Sequence, residues 1–230
     1  MTRAAIIGAI QRGHRRGPLP PDQQEMLRAR IKSHPRHLIP ARGQLDRAGR
    51  ISLFIEFLER EFGTAARLNT LDEIPAAIIK YLAGQNLAPE LVASPHPDLQ
   101  KIPFITTPLL KIRFGTSTPA DPVSLTHAFA GIAETGTLML PSGPTRPTSN
   151  NLLPDNAIVV LPAERIVACF EDAFDLLRAD AKSKAAREKF MPRNVMLVTG
   201  PSRSADIEQT LELGAHGPRR LHVLIIDGES

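Results

Sequence analysis

Three short segments hold the residues whose types and spacing could do chemistry. The first is Met196-Leu-Val-Thr-Gly-Pro-Ser-Arg-Ser-Ala-Asp-Ile-Glu208, an apolar run that enters a Gly-Pro-Ser-Arg-Ser loop ahead of a stretch predicted as a helix over 205–213. Ligands of open α/β sheets gather at the carboxyl ends of strands, where helix N-termini offer free N–H groups to anions. Gly200, Ser202, Arg203, Ser204 and Asp206 are therefore candidate contacts for a carboxylate or phosphate. The plainer use of the same residues is that Ser202 or Ser204 caps the helix while Asp206 and Glu208 complement its dipole. No Gly-Lys-Ser/Thr follows, which excludes a P-loop.

The second segment is Ala133-Glu-Thr-Gly-Thr137, set between two apolar runs. A carboxylate leaving a core strand beside a glycine suits acid–base or nucleophilic work, because burial raises its pKa. Glu134 is the catalytic candidate, with Thr135, Gly136 and Thr137 beside it; the alternative is that Glu134 caps a turn or pairs with an arginine. The third is Gly214-Ala-His-Gly-Pro-Arg-Arg220, where His216 and Gly217 either approach a ligand or form an exposed turn. Histidines 14, 34, 37, 96, 127 and 222 show no metal-ligand spacing, so no metal site is expected. No G-x-S-x-G elbow is present to suggest a serine nucleophile.

The elements that must position these residues follow from hydrophobic periodicity. Ile51, Phe54, Ile55, Leu58 and Phe62 fall at helical spacing within 44–62, which Gly63 closes. Further helices are predicted over 3–12, 22–33 (with Asp22 as N-cap), 72–83 and 164–178, and strands over 65–68, 91–93, 123–129, 137–140, 157–161, 194–198 and 221–226. Residues 99–122 read as irregular, 141–154 as a surface loop and 182–193 as a polar connector. Near-continuous apolar strands separated by helices indicate an α/β fold with a mainly parallel sheet flanked by helices. A helical arm over 1–43 precedes a domain over 44–230.

Composition narrows the function classes. The chain has 230 residues, 42% hydrophobic, with Cys169 as its single cysteine. An internal disulfide and a four-cysteine cluster on this chain alone are thereby excluded, and a reducing, cytoplasmic setting is expected. The apolar start, broken by Arg12, is too short for a signal-peptide core or a membrane span. Residues 1–50 hold eleven Lys/Arg against three Asp/Glu, a charge of +8, which leaves −4 on the rest of the chain. No aromatic residue precedes Phe54, so the basic arm lacks stacking platforms and suits a protein partner better than nucleic acid.

Taken together, Ala133–Thr137, Thr199–Glu208 and Leu213–Val223, with Asn151-Leu-Leu-Pro154 and the strand after it, resemble the signature of the LUD domain, in particular the lactate utilization protein C family. The resemblance covers about residues 45–228. It implies an α/β fold of the NagB/RpiA/CoA-transferase-like type and a part in oxidation of L-lactate to pyruvate beside iron–sulfur partner proteins. It also implies that this chain binds no cofactor and that the clusters sit on the partners, which agrees with a lone Cys169. Coenzyme A transferases of that wider fold use a glutamate in an E-x-G setting as nucleophile, and Glu134-Thr135-Gly136 is similar in form. A small-acid or acyl-CoA enzyme working through Glu134 is therefore the alternative reading, though fold analogy is a weak warrant for it.

Overall fold

The computed structural model describes residues 2–14, 17–36, 38–183, 192–205 and 211–228. It divides into two units, Met1–Ile39 and Pro40–Ser230. The first holds helices α1 (Arg3–Gly13) and α2 (Pro21–Ser33), neither of which buries a residue. α2 opens at Pro21 with Asp22 inside its first turn, so the helix starts two residues earlier than an Asp22 cap would place it. The second unit begins four residues ahead of the boundary read from sequence, because the 3-10 turn Ala41–Gly43 packs into it and Gly43 is buried.

In the second unit, α3 (Arg47–Arg60) begins where the Asp46 carboxylate accepts the Gly49 N–H at 2.8 Å, and it buries Ile51, Phe54 and Leu58. Its end departs from the expected glycine cap: the positive φ, 67°, belongs to Phe62 rather than to Gly63. The chain continues through β1 (Thr64–Leu68), α4 (Ile74–Gly84), β2 (Glu90–Ala93), α5 (Pro97–Gln100), β3 (Lys111–Phe114), β4 (Val123–His127), β5 (Ala130–Ile132), β6 (Thr137–Pro141), β7 (Asn156–Pro162), β8 (Ile166–Val167), α6 (Phe170–Ser183), β9 (Val195–Val198), β10 (Arg203–Ala205), β11 (Leu211–Leu213) and β12 (Arg220–Ile226). Pro75 occupies the first turn of α4, where its missing N–H costs nothing.

Six strands form one parallel sheet in the order β1-β12-β7-β4-β2-β3. Its central strands are buried on both faces. Val159, Leu161, Val223 and Ile225 pack with α3 residues Ile51, Phe54 and Leu58, while Ile158, Val160, Leu224 and Ile226 pack with Ile74, Ile78 and Leu82 of α4. This two-sided burial is why β7 and β12 read as near-continuous apolar runs. A second sheet, β8-β5-β6-β9, is mixed and is covered by α6 through Ala173 and Leu177.

Three local predictions change. Residues 164–178 are not one helix: Ile166–Val167 pairs with Gly131–Ile132, and the helix starts at Phe170. The stretch 99–122 contains the edge strand β3. The ends of the helix predicted over 205–213 are strands, with Arg203 opposite Leu213 and Ala205 opposite Leu211; Asp206 and Glu208 lie outside the described residues.

Candidate functional site

The signature segments converge on the end of α3. β6 and β9 are neighbours, with Leu138 opposite Val198, so the residues just outside that pair, Thr137 and Thr199, face each other and their hydroxyls bond at 2.7 Å. Thr137 also bonds the Thr135 hydroxyl at 2.7 Å. Gly136 takes a φ of 64°, and a Cβ there would meet the Leu58 backbone nitrogen at 2.5 Å; Gly200, at 83°, backs onto the Glu61 carbonyl in the same way. Arg203 reaches Glu61 at 3.3 Å and lies over the Phe62 ring, 3.9 Å from its centroid. Ser202 accepts the His216 N–H at 3.2 Å while the His216 residue is exposed, and Gly217 follows in the same turn. Gly136, Thr137, Thr199, Gly200 and Arg203 thus lie at the junction between the mixed sheet and α3, and residues 199–202 lead into β10, so their N–H groups are not the open end of a helix.

Glu134 stands apart from that junction. It is buried, and its Oε1 accepts the N–H of Phe170, the first residue of α6, at 3.1 Å, while Oε2 is buried without a partner. Gly43 closes over its Cβ. The contact that Glu134 makes is that of a helix-start acceptor. Cys169 is wholly buried next to it, and burial pushes its thiol up to about 11, which keeps it a thiol at neutral pH.

A different constellation occupies the carboxyl ends of the parallel strands. β2 and β4 are adjacent in register, Ala93 opposite Leu125, so the residues that follow them, His96 and His127, emerge side by side. Their rings stack 4.3 Å apart with planes 10° from parallel. Asp98, in the first turn of α5, lies 3.6 Å from His96 Nδ1 and 3.7 Å from His127 Nε2. A cleft of about 300 Å³ opens over them, lined also by Arg146, Arg165, Glu164 and Asp180.

The electrostatics of this cleft follow from its burial. Burial pushes His127 down to about 3, with His96 and Arg146 adding to the effect against Asp98, so the ring is neutral at physiological pH. Burial alone would raise Asp98; the Lys101 ammonium, which donates to it at 2.8 Å, outweighs that and holds the carboxyl below its ordinary value. With His127 neutral, Lys101 is the charged partner that keeps Asp98 ionised. The Arg146 guanidinium is lowered, mostly by desolvation, and its Nε is buried without a partner.

Two residues 31 positions apart leave no local trace of this site, because only the strand register unites 96 with 127. The one usable signal was position: His96 follows the strand predicted over 91–93 and His127 lies towards the carboxyl end of the one predicted over 123–129, the end where α/β sheets bind ligands. Two stacked imidazoles, an ionised carboxylate and two guanidiniums can hold a small carboxylate or donate and accept protons.

The architecture is that of an α/β domain with a parallel sheet and a second small sheet, and comparison with known proteins shows what it is similar to. Residues 120–226 match the family model of the LUD domain. The chain is similar to lactate utilization protein C of Macrococcus caseolyticus, 35% identical over 105 residues that span 46% of this chain and 44% of the relative. The same protein of Bacillus subtilis (strain 168) is 34% identical over 106 residues, 46% and 42% of the two chains. An uncharacterized protein of Neisseria meningitidis serogroup B is 40% identical over 99 residues, 43% and 40% of the two chains. Each match thus spans less than half of the relative. A crystal structure of a DUF162 family protein from Deinococcus radiodurans shares the fold, with a TM-score of 0.59 at 20% identity over 80% of this chain and 99% of that one. Among the described residues, no helix is long and apolar enough to cross a membrane.

Proposed function

We propose that this chain is a component of a lactate utilization system that holds no cluster of its own and works beside iron–sulfur partner proteins in the cytoplasm. The observation that carries this reading is the 31–35% identity to relatives named lactate utilization protein C. The chain's chemistry supports it: a single buried cysteine cannot ligate a cluster alone, so electron transfer would belong to the partners. The cleft above β2 and β4 is the place for a small carboxylate ligand, since Arg146 and Arg165 line it beside two histidines. The basic helical arm is the part suited to docking a protein partner.

Deletion of the gene is expected to abolish growth on L-lactate as sole carbon source, with growth on glucose unchanged. Restoring the wild-type chain recovers growth, while Arg146→Ala leaves it impaired. Undiminished growth of the deletion on lactate, with no second copy of the gene present, refutes the reading.

A further inference from the structure

We propose that His96, Asp98 and His127 form a three-ligand site for a divalent transition-metal ion. Two imidazoles and one carboxylate are a ligand set of open, three-residue metal sites. All three can offer ligand atoms that lie within 4.8 Å of one another. The spacing is the telling feature. Asp98 Oδ2 stands 3.6 Å and 3.7 Å from the two histidine nitrogens, too far for hydrogen bonds. Two atoms each ~2.1 Å from a common ion, at angles of roughly 110–120°, lie about 3.4–3.6 Å apart. Asp98 thus stands from each histidine at the spacing of two ligands in one coordination shell.

A further observation points the same way. The His127 side chain is only 8% exposed, yet its Nδ1 has no hydrogen-bond partner, so ordinary bonding does not account for burying the ring. Binding requires the stacked rings to turn about their Cβ–Cγ bonds so that both lone pairs meet one centre. If His96 ligates through Nδ1, it also gives up the long 3.3 Å bond that it accepts from the Asp98 N–H. The backbone, held by the β2–β4 pairing, stays in place.

The test uses the full chain, stripped with a chelator and titrated with Zn²⁺ against a chromophoric competitor, and in parallel with Co²⁺ followed in the visible spectrum. The expected result is one ion per chain at micromolar affinity or better. His127→Gln and Asp98→Asn should each weaken binding at least tenfold, while His34→Gln and His216→Gln leave it unchanged. If a ligand variant fails to fold, the wild-type chain still decides: on adding Co²⁺ the ring resonances of His96 and His127 must move, while those of exposed His14, His34 and His216 stay. Lack of stoichiometric binding, binding that survives both ligand variants, or Co²⁺ shifts confined to the exposed histidines overturns the proposal. None of these outcomes bears on growth on lactate, so the site and the pathway reading fail separately.

Discussion

His222 offers a measurement in which the structure sets both sign and size. Its ring stacks on Tyr81 at 4.2 Å with planes 6° apart, and its Nδ1 shares a 2.8 Å hydrogen bond with the Thr64 hydroxyl. Burial holds its pKa down to about 4. The unfolded chain, with a histidine near 6.5, binds the proton more tightly than the folded one does. The resulting stability is fully present above about pH 6.5 and is lost as pH falls from there toward 4. From those two values the loss between pH 7.5 and pH 5.0 is about 2 kcal/mol. Urea unfolding at the two pH values, at fixed ionic strength, gives the wild-type difference. His222→Gln removes this titration, so its difference between the two pH values should be smaller by about 2 kcal/mol. His127, depressed for the same reason, contributes equally to both proteins and cancels. Equal pH dependence in the variant and the wild type would refute the claim that His222 is buried neutral.

Two shorter predictions concern the signature segments. Gly136→Ala places a Cβ at a φ of 64° against the Leu58 backbone nitrogen and should destabilise the chain by about 2 kcal/mol or more, visible as a lowered Tm; an unchanged Tm would show that the turn relaxes freely. Glu134→Ala removes the acceptor of the Phe170 N–H and should cost about 1–2 kcal/mol in urea unfolding, whereas Glu134→Gln keeps an acceptor oxygen and should restore growth on lactate; failure of Glu134→Gln to do so, with its stability intact, would give the carboxylate a chemical role.

Much of the fold was legible because its signals are local. Ile51, Phe54 and Leu58 mark one face of a helix whatever surrounds it, and the apolar runs 157–161 and 221–226 could only be strands buried on both sides. The misread elements are those where pairing outweighs local preference. Ile166–Val167 looks like helix until Gly131–Ile132 lies beside it. Arg203–Ala205 and Leu211–Leu213 are three residues each, too short to display alternation, and Asp206 and Glu208 suggested a helix start between them. Phe62, rather than the glycine after it, adopts the left-handed conformation at the end of α3.

For the site, the division is sharper. The sequence alone determined the helix over Ile51, Phe54 and Leu58, the central apolar strands, the likeness to a family signature around Glu134, Gly136 and Gly200, and the limit that one cysteine places on cluster binding, because each depends on residue type and near-neighbour spacing. Only the tertiary structure decided that the signature glycines back onto α3 and that Glu134 faces the start of α6. It also decided that His96, Asp98 and His127 share one cleft with Arg146 and Arg165. The reason is strand order: β4 lies beside β2 although a third strand separates them along the chain. The register of that pairing is fixed by cooperative burial of two sheet faces, which no window of sequence contains.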